Sequence, residues 1–121
     1  MDFRERQFGG VTIGSASGRI DLSNADAFTD SLSATLSRTK TALVLDLSEL
    51  EYISSAGLRS LMISFKAAKA EGKTFGIAAL KPLVLEIFTI SRFNLVFPLF
   101  NTVRDAIKTQ APDALSAFDA H

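Results

Sequence analysis

Asp46-Leu47-Ser48-Glu49-Leu50-Glu51-Tyr52-Ile53-Ser54-Ser55-Ala56-Gly57-Leu58-Arg59 is the stretch in which one periodicity gives way to another. The residues leading into it, Thr41 to Leu47, are short, apolar and rich in β-leaning types, as in a strand buried on both faces. Beyond it Leu58, Leu61, Met62 and Phe65 recur at helical spacing, and Gly72 supplies a stop signal after Glu71. The stretch therefore reads as a buried strand, a loop, and a helix entered through two serines. Either serine can cap the helix, because its hydroxyl can accept a first-turn N–H.

The same alternation extends outward in both directions. Phe3–Phe8 is a charged candidate edge strand, and Gly9-Gly10 is a turn into a second strand from Val11 to about Gly18. Ser23 is the expected cap of a helix carrying Ala25, Phe28, Leu32 and Leu36 and ending near Arg38. After the central helix come a strand over Thr74–Ala79 and a helix opened by Pro82, with Asn94 expected as its left-handed terminator. Val96–Phe100, interrupted by Pro98, reads as a last edge strand. Asn101 is expected to cap a final helix through Lys108, and residues 110–121 read as a tail with a helical turn near Asp113–Phe118. The expected fold is α/β: one domain over residues 1–121, with a mixed, mostly parallel sheet of four to five strands and about four helices.

Composition excludes several functions. Thirteen basic and thirteen acidic residues cancel, so no charge excess points to direct nucleic-acid binding. There is no cysteine, and the single histidine is the last residue, His121. Disulfides, thiol nucleophiles and Cys-ligated metal are thus ruled out, and a histidine catalyst is not expected. Neither a phosphate-binding Gly-Lys-Ser/Thr loop nor a Gly-x-Ser-x-Gly elbow occurs. Asp21 and Asp46 stand near strand ends but without the acidic pair and lysine of a phosphoryl-accepting receiver, and turn chemistry accounts for them. A binding protein without cofactor or metal is the expectation, not an enzyme. The polar start, Met1 to Gly10, does not read as a signal peptide, and runs such as Ala42–Leu45 are too short for membrane insertion. A cytoplasmic location is expected.

Three features set the two serines apart from an ordinary cap. Gly57 falls in the first turn, where glycine costs about 0.5–1 kcal/mol relative to alanine. A missing side chain there would let another backbone approach the serines. Arg59 sits near the positive end of the helix dipole, four residues after Ser55 on the same face. A phosphate on Ser55 would turn that unfavourable placement into a favourable one. Ile63 falls away from the core stripe, among Ala56, Arg59, Ser60 and Ala67, and is a candidate docking residue.

Asp46-Leu47-Ser48 followed by Tyr52-Ile53-Ser54-Ser55-Ala56-Gly57-Leu58 resembles the signature of STAS domains, the module shared by sulfate transporters and anti-sigma factor antagonists. Gly18-Arg19-Ile20-Asp21 with Ala25 resembles the family's first motif, and Pro82 with Val84, Phe88 and Arg92 to Leu95 its third. The resemblance implies a phosphorylation switch. An anti-sigma factor that is also a serine kinase would bind the unmodified chain and release it once Ser55 is phosphorylated; a serine phosphatase would reset it. Asp21 matches a residue of the partner-facing loop, and Ser54, Gly57, Arg59 and Ile63 complete the expected surface. Ser54 stands where the family usually has Asp, which makes it a second candidate acceptor, and Ala56 stands where Ser or Thr is usual. The alternative the resemblance leaves open is a STAS subunit without a phosphorylation cycle, such as the accessory subunit of a lipid-transporting ABC complex or a stress-signalling scaffold.

Overall fold

The structure is a computed structural model describing all residues, Met1 to His121. Its strands are β1 (Asp2–Phe8), β2 (Val11–Ile20), β3 (Ala42–Asp46), β4 (Leu50–Ile53), β5 (Thr74–Ala78) and β6 (Leu99–Phe100). Its α-helices are α1 (Ala25–Arg38), α2 (Ser55–Ala70), α3 (Pro82–Ile90), α4 (Val103–Gln110) and α5 (Leu115–Asp119), with short 3-10 turns at Phe93–Leu95 and Pro112–Ala114. The sheet is six-stranded in the order β1-β2-β3-β5-β6, with β4 also on β2. Only β1–β2 is antiparallel, and every other pairing is parallel.

Strand alternation divides the core between two faces. Leu43 and Leu45 of β3 point to the side covered by α1, α2 and α3, where Ile20, Phe28, Leu32, Leu58, Leu61, Val84 and Phe88 join them. Ala42 and Val44 point to the other side, under Ala106 and Ile107 of α4. Residues 110–121 fold back over that second face: Ala114 is buried, and the Phe118 ring meets Phe8 edge-on at 5.4 Å.

The structure adds a strand where the sequence suggested a loop. β2 pairs with β3 over Val11–Ser15, then changes neighbour and pairs with β4 over Gly18–Ile20, with a register shift between Gly18 and Arg19. β4 thereby delivers Ser54 to the end of β2. Other boundaries move for local reasons. Asn24, not Ser23, occupies the α1 cap position; Ser23 is held in the turn before it, donating its N–H and its hydroxyl to the Asp21 carboxylate. Arg92 (φ 63°), not Asn94, is the left-handed residue after α3. Thr102, not Asn101, caps α4, its Oγ1 accepting the Asp105 N–H at 3.0 Å. The last strand shrinks to Leu99–Phe100, since Pro98 has no N–H to donate. Gly72 ends α2 as expected, in the left-handed conformation at φ +71°.

The β1 edge is tied to α1 through Glu5. Arg38 donates from Nε at 3.1 Å to both carboxylate oxygens and also from its Nη2, and the Thr35 hydroxyl lies 3.3 Å away. Hydrogen bonding from Arg38 is the main cause holding the Glu5 carboxyl below its ordinary pKa. A depressed carboxyl stabilises the fold fully above the unfolded-chain value, about 4, and that stabilisation is lost as pH falls through the folded value. Urea denaturation should therefore show stability that falls below about pH 4. Glu5→Gln should flatten that acid limb and cost about 1 kcal/mol at neutral pH. An unchanged acid limb would remove Glu5 from the account.

Candidate functional site

The site forms where β2 and β4 end side by side. Ile20 and Ile53 are register partners, and the next residues, Asp21 and Ser54, leave the sheet together. The Ser54 N–H donates to the Ile20 carbonyl at 2.8 Å, which stitches the two exits to each other. On the Asp21 side the loop closes on itself: the Asp21 N–H donates to Asn24 Oδ1 at 2.9 Å, and Asn24 Nδ2 donates to the Arg19 carbonyl at 2.9 Å. Hydrogen bonds from the Ser23 hydroxyl, then from the Ser23 backbone, hold the Asp21 carboxyl below its ordinary pKa. It therefore remains an anion at neutral pH, in the loop that leaves the sheet next to the residue capping α2.

The two serines differ. Ser54 is the cap, extended at φ −86° and ψ 174°, and its half-buried hydroxyl accepts the Gly57 N–H at 3.4 Å. Ser55 is the first residue of α2; its side chain is exposed, and its hydroxyl makes no hydrogen bond within the chain. The first N–H groups of a helix have no carbonyl one turn back, and the helix dipole is positive there. Ser55 thus offers a free hydroxyl at a place suited to an anion. Ser54→Ala should cost about 1 kcal/mol in urea denaturation, as a lost cap does, and leave the Ser55 hydroxyl available.

Gly57 faces inward, so its missing side chain does not open the serines to an outside backbone. A Cβ built there would lie 2.6 Å from Ile53 Cγ1 and 2.7 Å from Ile20 Cγ2. The glycine lets α2 start directly against the paired ends of β2 and β4. Arg59 is exposed and joins no ion pair within the chain. Ile63 is 47% exposed, along the outer edge of the seam between α2 and α1, where Thr29, Asp30 and Ala67 also line a shallow groove. Ser60 does not share that surface. It is buried in the seam, where its hydroxyl donates to the Ala25 carbonyl at 3.1 Å and meets the Thr29 hydroxyl at 2.7 Å.

Two features were not singled out from the sequence. Leu22, next to Asp21, is 85% exposed. A leucine held between Asp21 and Ser23 in a tight turn has no route to the core, which is the signal that could have marked it. Beside it the Arg19 guanidinium lies 4.4 Å from the Tyr52 ring centre, a cation–π contact that holds one side of the surface in place.

Residues 3–106 match the STAS domain family, and the chain belongs to it. Among curated relatives, BtrV of Bordetella bronchiseptica, a candidate anti-sigma factor antagonist, is 35% identical over 106 residues, covering 85% of this chain and 91% of that one. The anti-sigma-F factor antagonist RsfB of Mycobacterium tuberculosis is 32% identical over 98 residues, covering 81% and 80%. Among solved structures, an anti-sigma factor antagonist from Mycobacterium paratuberculosis superposes with a TM-score of 0.81 at 29% identity, covering 90% of this chain and 92% of that one. SpoIIAA of Bacillus in its phosphorylated form shares the fold, with a TM-score of 0.66 at 14% identity over 88% and 97% of the two chains. No helix is long and apolar enough to cross a membrane.

Proposed function

We propose that this chain is an anti-sigma factor antagonist, docking through the surface around the start of α2 and released by phosphorylation of Ser55. The relatives named as antagonists support the first part. The observation that carries the second is the division of labour between the serines: the Ser54 hydroxyl is occupied as a cap, and the Ser55 hydroxyl is free and exposed. In this reading the partner is an anti-sigma factor with serine kinase activity, which brings ATP and Mg²⁺. Ser55 Oγ attacks the γ-phosphorus, ADP leaves, and the hydroxyl proton passes to a base on the kinase. A serine phosphatase reverses the modification by hydrolysis.

The docking surface comprises Asp21, Leu22, Ser55, Arg59 and Ile63, with Ser54 and Gly57 fixing its backbone. A phosphate adds roughly −1.5 to −2 charges at pH 7. At the α2 start it meets unpaired N–H groups and the positive end of the dipole, so the helix tolerates it. The change is then felt by the partner, as added bulk and charge on the docking surface.

Incubation with the cognate kinase and ATP, followed by mass-spectrometric mapping, should place a single phosphate on Ser55, and Ser55→Ala should take none. Phosphate on Ser54 with Ser55 untouched would reverse the assignment. Absence of phosphate on either serine would favour the STAS subunit without a phosphorylation cycle.

A further inference from the structure

Apolar side chains left in solvent concentrate on α3 and the turn after it. Leu83, Leu85, Ile90, Leu95 and Val96 are 55%, 42%, 75%, 77% and 40% exposed. Val84 and Phe88 already anchor α3 to the core, and Ile87 packs partly against it. Leu83 and Ile90, seven residues apart, form a second stripe that faces outward. A helix apolar on nearly every side is normally covered on every side, and an exposed patch of this kind marks an interaction surface.

The charges on the patch indicate what covers it. Glu86 lies on the outward face between Leu83 and Ile90, and Arg92 follows Ile90 in the left-handed turn. Both are exposed, and neither joins an ion pair within the chain. One unpaired acid and one unpaired base thus flank an apolar centre. A uniformly acidic or basic partner would satisfy only one of them. A second copy of the same surface, turned by a two-fold axis beside Ile90, satisfies both twice, because a two-fold interface pairs residue i with j and j with i.

We propose that α3 and the following turn form a homodimer face, with Ile90 packed near its counterpart and Glu86 opposite Arg92 of the second copy. This inference does not rest on the phosphorylation reading. Sedimentation velocity of the full chain from about 1 µM to about 500 µM should show a monomer–dimer equilibrium. Ile90→Lys should weaken dimerisation at least ~10-fold, as loss of a central apolar anchor does. Leu83→Lys, at a second exposed position, should act in the same direction. Glu86→Arg and Arg92→Glu should each weaken it ~10-fold, and the double swap should restore it. Thermal melts of all variants should stay near the unmodified value, because every altered side chain is exposed. A monomer throughout the range would overturn the proposal. So would a dimer indifferent to Ile90→Lys and Leu83→Lys, or a double swap no better than the single ones.

Discussion

Ser55→Asp should bind the cognate anti-sigma factor about 100-fold more weakly than the unmodified chain, equivalent to about 2.7 kcal/mol. Ser55→Ala should bind within about threefold of it. The difference follows from what each side chain does on the free surface. The Ser55 hydroxyl makes no contact within the chain, so its removal leaves α2 intact. A carboxylate at the first helical position is welcome to the helix itself but adds a charge to a surface the partner must desolvate. The cost therefore falls on binding, not on folding. Isothermal titration reads the affinities, and hydrogen exchange of the α2 amides tests the folding half. Equal affinities for the two variants would contradict the switch. Faster exchange across Leu58–Phe65 in Ser55→Asp would move its origin from the surface to the helix.

Gly57→Val should cost about 3 kcal/mol of stability. An exposed helical glycine would instead gain from acquiring a side chain. Here a Cβ meets Ile53 and Ile20 at 2.6 and 2.7 Å. Both isoleucines are fully buried and fixed as register partners, so neither can retreat without disturbing the sheet. The start of α2 must lift, and with it go the Ser54 cap and the presentation of Ser55. Partner affinity should fall together with the urea midpoint. A Gly57→Val chain as stable as the parent would show that α2 does not depend on this close approach.

The alternation of strands and helices was legible because most elements carry an unbroken period: Leu43 and Leu45 against Val44 in β3, or Phe28, Leu32 and Leu36 along α1. β4 was hidden for a definite reason. Its buried residues, Leu50 and Ile53, are three apart, with Glu51 exposed and Tyr52 half-covered between them, and the register shift on β2 breaks the period of two. The choice of cap between Ser54 and Ser55 was equally closed to sequence, since both are capping types. It is decided by the Ser54 N–H reaching Ile20 across the sheet, a contact between residues far apart in the chain. The same holds at Ser23, where hydrogen bonds to the Asp21 carboxylate hold the residue in the turn ahead of α1 and leave Asn24 at the cap position. The inward role of Gly57 and the burial of Ser60 likewise depend on neighbours that no local pattern names. The candidate docking residues Arg59 and Ile63 were visible as departures from the core stripe of α2, and the structure leaves both in solvent.

The most direct test of the account is the affinity of the anti-sigma factor for the chain phosphorylated stoichiometrically on Ser55, against the unmodified chain, under the same salt and pH. A loss of at least ~100-fold, reversed by phosphatase treatment, is the result expected of a switch seated at the α2 N-terminus. Equal affinity of the two forms would contradict it.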